Sequence, residues 1–139
     1  MRTALLKIML LSLIFFSSCS LLRPIFSLNC KRYTTDKYVF RASVEVSSAT
    51  LPLAQAKAIS MANNDMLSQV DNYIAEKISY KDFLADDKYE EKLDLMRTKA
   101  LEACEVSCSH VTQRNGAIFY STTLQLNRST MDEIISDCK

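Results

Sequence analysis

The stretch CEVSCSHVTQRNGAIFYSTTLQL, from Cys104 to Leu126, decides the fold. Asn115-Gly116 stands within it as a turn signal, and the stretch reads as a β-hairpin. A two-residue loop at Asn115-Gly116 would set Leu124 and Leu126 opposite Ser107 and Glu105, apolar against polar. A three-residue loop, Arg114-Asn115-Gly116 with the glycine left-handed, pairs Cys104 with Leu126 and Val106 with Leu124. It also pairs Cys108 with Thr122, His110 with Tyr120 and Thr112 with Ile118. That register gathers one apolar face and is the one expected.

A hairpin alone does not bury enough surface to be stable, so it needs a further strand and a covering layer. From Tyr38 to Val46 the even positions Tyr38, Phe40, Ala42, Val44 and Val46 are apolar, and Arg41, Ser43 and Glu45 between them are polar, which predicts a half-buried strand. Residues 47–52 then supply turn and cap residues, with Pro52 tolerated in a first helical turn. Ala54, Ala58, Ala62, Met66, Val70, Ile74 and Ile78 follow at intervals of four. They predict one long helix whose apolar stripe runs from small side chains to large ones, so that its start can lie close to a sheet. After a break around Tyr80, Phe83 and Leu84, Asp86 or Asp87 offers an N-cap. Tyr89, Leu93, Met96, Ala100 and Ala103 then mark the inner face of a second helix, with Glu90, Glu91, Lys92, Asp94, Arg97 and Lys99 on its other faces. Past the hairpin, Ser129, or Thr130 with Glu133, can cap a last helix carrying Met131, Ile134, Ile135 and Cys138. The expected fold class is α+β: a small antiparallel-rich three-stranded sheet packed by helices, in the order β-α-α-β-β-α.

The N-terminus reads as an address. Arg2 and Lys7 precede the apolar run 8–16, and Ser17-Ser18-Cys19 follows, the arrangement of a secretory signal whose apolar part falls short of the roughly 20 residues that span a bilayer. Ser17-Ser18-Cys19 resembles the lipobox of bacterial lipoproteins, in which the cysteine becomes the first mature residue and carries acyl chains; Phe16 stands where that pattern usually has Leu. The expected organisation is therefore a lipoprotein signal peptide over 1–18, a membrane tether over 19–37 containing the apolar Leu21, Leu22, Ile25, Phe26 and Leu28, and a single α+β domain over 38–139.

Composition excludes several functions. The chain has 139 residues with 17 Lys+Arg against 16 Asp+Glu, interleaved along its length, so a nucleic-acid partner is not expected. Gly116 is the only glycine, which excludes Gly-rich phosphate loops and dinucleotide fingerprints. His110 is the only histidine, which excludes multi-His zinc sites; no metal and no cofactor are expected.

Five cysteines are an odd number for an exported chain. Giving Cys19 to lipid leaves Cys30, Cys104, Cys108 and Cys138, an even set suited to an oxidising compartment. Four residues of strand span roughly 13 Å, about twice the reach of a disulfide, so Cys104 and Cys108 cannot join each other if the strand begins by Cys104. Two connectivities remain: Cys30–Cys104 with Cys108–Cys138, or Cys30–Cys108 with Cys104–Cys138. If the second helix instead ran through Cys108, an i, i+4 bond between Cys104 and Cys108 would be conceivable.

The order of elements after a lipobox resembles the LPP-twenty-like lipoproteins, small envelope proteins. The resemblance rests on Cys19, the Ala54, Ala58, Ala62 stripe, the strands Val106 to Thr112 and Ile118-Phe119-Tyr120, and Leu124 and Leu126. It implies a βααββα domain on a membrane tether with an assembly or scaffolding role and no known active site; the lipidated Cys19 is the one functional residue it carries over. This chain differs in lacking glycine between Tyr38 and Thr50 and in its four further cysteines.

The functional expectation is a cell-envelope lipoprotein, anchored to the inner or outer membrane and facing the periplasm or the cell surface. Its domain is non-enzymatic and binds or scaffolds a protein partner, for which an exposed sheet edge offers one means, since three strands leave two edges. The alternative is a small periplasmic thiol or hydrolytic enzyme using Cys104, Cys108 and His110, with Ser109 and Ser121 near the histidine. A third reading is a lipid or small-ligand binder using the Ala-poor end of the long helix.

Overall fold

The computed structural model describes Cys30, residues 33–79 and residues 87–138. Cys19, the leader, most of the tether, Tyr80, Phe83, Leu84 and Asp86 lie outside the described residues. The elements follow the expected order: β1 (Val39–Ser48), α1 (Leu51–Lys77), α2 (Tyr89–Glu102), β2 (Glu105–Arg114), β3 (Ala117–Asn127) and α3 (Arg128–Cys138). The fold is α+β, with one antiparallel sheet in the order β1-β3-β2. No helix among the described residues is long and apolar enough to cross a membrane.

Period-two alternation makes β1 two-faced, and its even positions Phe40 and Ala42 are buried beneath α1. The stripe of α1 is buried from Ala54 to Ile74, with Tyr73 added to the residues expected. Ala54 and Ala58 have no side chain beyond Cβ, so the helix start approaches the sheet closely enough to pack on Tyr120. Farther along, Met66, Val70, Tyr73 and Ile74 meet Phe40, Leu124, Leu126, Met96, Ala100 and the inner face of α3 in the main core. Arg97 of α2 clamps Asp71 of α1 in a two-pronged ion pair at 2.8 Å on each arm, a planar match that a lysine could not make.

The hairpin departs from expectation. Its loop is the two-residue Asn115-Gly116, with φ of 50° and 79°, and Arg114 pairs with Ala117. This turn requires left-handed backbone at both residues, and its twist matches that of the strands. Beyond it Cys108 faces Thr123, His110 faces Ser121, Val111 faces Tyr120, and Thr112 faces Phe119. Val106 nevertheless pairs with Leu124, because the register shifts by one residue between Val106 and Cys108. This bulge at Ser107 satisfies the turn at one end and the apolar pairing at the other. The three-residue loop and the pairs Cys108–Thr122, His110–Tyr120 and Thr112–Ile118 are thus corrected. As a result Cys108, His110 and Thr112 lie on the sheet face opposite to Val106.

The helix caps also differ. Lys88, not Asp87, is the N-cap of α2, with no side-chain cap bond, and Glu90 and Glu91 supply the negative charge its first turn favours. α3 starts at Arg128, directly after β3, so Ser129 and Thr130 lie inside its first turn and do not cap it.

Candidate functional site

The sheet face turned away from the helices carries the polar positions of all three strands, and this is where the cysteines act. Cys30 and Cys108 form a disulfide with Cα atoms 5.7 Å apart, joining the chain ahead of β1 to β2. Of the two connectivities left open by the sequence, the structure contains this bond of the second, and it contains neither bond of the first. Cys104 and Cys138 are thiols, both packed at the main core. Cys104 Sγ–H donates to the Ala100 carbonyl at 3.2 Å, and burial pushes its thiol up to about 11, which opposes the thiolate that a nucleophilic cysteine needs.

The staple is embedded in a polar layer. Thr123 Oγ1 donates to the Cys30 carbonyl at 3.0 Å, Ser43 Oγ donates to the Tyr33 carbonyl at 2.7 Å, and the two hydroxyl oxygens are 2.8 Å apart. The two hydroxyls share two protons among these three contacts beneath the disulfide, and Thr123 is fully buried. Farther along the same face, Ser121 Oγ donates to Glu45 Oε2 at 3.0 Å, with His110 as the cross-strand neighbour of Ser121. A nucleophilic serine would give its proton to an imidazole held by the acid; here the serine gives it to the carboxylate itself.

The two edges of the sheet differ. On β1, Arg41 N–H and C=O point away from β3; Thr35 Oγ1 accepts from the first at 2.8 Å, and its one proton is shared between the second, 3.0 Å away, and Gln69 Oε1. Gln69 Nε2 of α1 donates to the same carbonyl at 3.0 Å. One residue pair earlier, Asp36 N–H donates to the Val39 carbonyl, and the Asp36 carboxylate accepts from Tyr38 and Val39 N–H and pairs with Arg41 at 2.7 Å. The Tyr38 N–H bond, then that of Arg41, hold the Asp36 carboxyl below the usual carboxylate range. This edge is therefore closed at Val39 and Arg41, while farther along, among the described residues, no backbone group pairs with the outward N–H and C=O of Ser43 and Ser47.

Among the described residues the outer edge of β2 has no strand beside it along its length. In a hairpin closed by a two-residue loop, the residues flanking the loop exchange both hydrogen bonds, so Ser109, Val111 and Gln113 turn their N–H and C=O groups away from β3. Among the described residues no backbone group pairs with them. Val111 is 45% exposed and Val106 60% exposed, because α1 covers β1 and β3 but stops short of β2. Sequence reasoning anticipated an available edge but not which one, since the closing of β1 depends on Thr35, Asp36 and Gln69, which no local pattern marks.

No family model matches the chain, and no curated protein matches it either.

Proposed function

We propose that the chain is a bacterial cell-envelope lipoprotein, held on the inner or outer membrane by acylated Cys19 and facing the periplasm or the cell surface. Its non-enzymatic domain binds an extended segment of a protein partner. The observation that carries this reading is the open outer edge of β2 from Ser109 to Gln113. Unsatisfied N–H and C=O groups in a strand are a template for another strand, and β-addition satisfies them with main-chain bonds while the flanking side chains set specificity. Val111 on one face and His110 and Thr112 on the other would read alternate residues of the segment. The Cys30–Cys108 bond supports an oxidising compartment, and it fixes β2 against the tether so that the edge is presented rigidly.

The test is site-specific photo-crosslinking in the native host, with the crosslinker at Val111 and, as a control, at the exposed Met61 of α1. A discrete protein adduct from Val111, absent from Met61 and lost when Ser109→Pro removes an outward N–H, is the expected result. No adduct, or the same adduct from both positions, overturns the edge-binding reading. The intact mass of the same purified protein reports the anchor: a chain beginning at Cys19 with acyl mass is expected, and an unacylated chain removes the membrane from the proposal.

A further inference from the structure

At the end of the sheet away from the Asn115-Gly116 turn, the approach to β1, the last turns of α1 and the start of α3 line a hollow of about 540 Å³ that is open to the surface. That volume lies within the range of small-ligand sites. Three cations line it, Lys37, Lys77 and Arg128, against one acid, Asp132. Asp132 is engaged: its Oδ1 accepts from Tyr73 Oη at 2.8 Å and from Lys77 Nζ at 3.3 Å, bonds that hold its carboxyl below the usual range, so it stays ionised and offsets Lys77.

Lys37 has no such partner among the described residues, and Arg128 is linked to Asp132 only by charge through space, without a contact. Among the described residues neither Lys37 nor Arg128 forms an ion pair. Lys37 Nζ sits 4.7 Å above the ring of Tyr38, which is 67% exposed. The Arg128 guanidinium lies 4.3 Å from the centre of the Phe40 ring and 5.1 Å from that of Tyr73, and its Nε donates to the Asp36 carbonyl at 3.1 Å. Two aromatic rings and one hydrogen bond thus fix the guanidinium plane while both Nη groups remain uncommitted, the arrangement that suits two-pronged recognition of an oxyanion. Ser129 adds a hydroxyl to the lining, and the dipole of α3 favours negative charge at this end. Glu76 lines only a smaller cavity that shares Arg128 and Tyr73 with this one, and Asp36 is occupied by Arg41, so the surplus of positive charge in the larger cavity stands.

We propose that this cavity binds a phosphate group, with Arg128 as the fork, Lys37 as the second charge, and the Tyr38 and Tyr73 rings as the wall for whatever the phosphate is attached to. The group is supplied either by a soluble phosphorylated small molecule or by a phospholipid headgroup. The site is separate from the β2 edge and does not depend on that reading.

The full chain, in dodecyl maltoside micelles that contain no phosphate, is titrated with phenyl phosphate, and the Arg128 Nε–H and Ser129 amide signals are followed by NMR. Saturable shifts that sodium chloride at equal ionic strength does not reproduce are expected. Arg128→Lys, which keeps the charge and loses the fork, weakens binding about tenfold. Lys37→Gln weakens it about fivefold, and because the Lys37 side chain makes only the Tyr38 ring contact, this variant keeps the fold. If phosphatidic acid added to the micelles moves the same signals with no phenyl phosphate present, the source is the headgroup; if only the soluble ester moves them, the source is soluble. Absence of saturable shifts, equal shifts with chloride, or affinity unchanged in both variants overturns the proposal.

Discussion

Removing the Cys30–Cys108 disulfide by Cys30→Ser with Cys108→Ser tests what holds the tether and the sheet together. The bond closes a loop with a sequence separation of 78 that encloses β1, α1, α2 and the first part of β2. Constraining a loop of this length removes chain entropy from the unfolded state equivalent to about 4.5 kcal/mol at 25 °C. For a domain of this size that corresponds to a fall in Tm of roughly 15–20 °C. The folded side loses less, because Thr123 and Ser43 still hold the Cys30 and Tyr33 carbonyls. The assay is urea unfolding of the full chain followed by circular dichroism, wild type against the double serine variant. The expected result is a lower midpoint together with a steeper m-value, since an unfolded chain without the cross-link exposes more surface. A loss below about 1 kcal/mol with unchanged m would refute the loop-entropy argument. It would mean that the segment around Cys30 is only a surface strap, released without consequence for global unfolding.

Further outcomes follow from single positions. Gly116→Ala is expected to cost about 1 kcal/mol in chemical denaturation, all of it from backbone at φ 79°, because an added Cβ would meet nothing within 4 Å. Met66→Ala, at a fully buried position in the main core, should lower unfolding free energy by about 2–5 kcal/mol; a change under 1 kcal/mol would show that the α1–sheet contact is loosely packed. Burial raises the Cys104 thiol from an ordinary 9.0 to about 11, so folding favours the protonated form: its contribution to stability is complete below pH 9 and fades as pH rises through 11. Iodoacetamide should accordingly modify Cys104 far more slowly at pH 8 in the native state than in urea, and equal rates would contradict its burial.

Much of the architecture was legible because it repeats. The interval-of-four stripe from Ala54 to Ile74 and the alternation from Phe40 to Val46 each pose a burial problem with one local solution, and both elements form where those patterns lie. The hairpin was half legible. Asn115-Gly116 marks the turn, and the demand that Val106 meet Leu124 is met, but one constant register cannot satisfy both. The structure inserts a residue at Ser107, and every side chain from Cys108 to the turn changes face. That inversion sends Cys108 to the outer face, where Cys30 meets it, and it moves His110 from Tyr120 to Ser121.

The candidate sites were less legible. Lys37, Tyr73, Lys77, Arg128 and Asp132 come from three separate stretches of chain and carry no spacing that marks them; only the expectation of a ligand at the Ala-poor end of the long helix touched their region. Whether β1 or β2 would be the open edge was equally hidden, because Thr35 and Gln69 lie far apart in sequence and meet only at the Arg41 carbonyl. The sequence by itself determined which segments would be helix or strand and which face β1 and the long helix would bury, since periodicity and propensity act within a few residues of chain. The tertiary structure alone decided the bulge, the disulfide partner, the closed and open edges and the surplus of charge beside α3. Those depend on groups distant in sequence competing for the same space and the same hydrogen bonds, and that competition is resolved only when the sheet closes against α1.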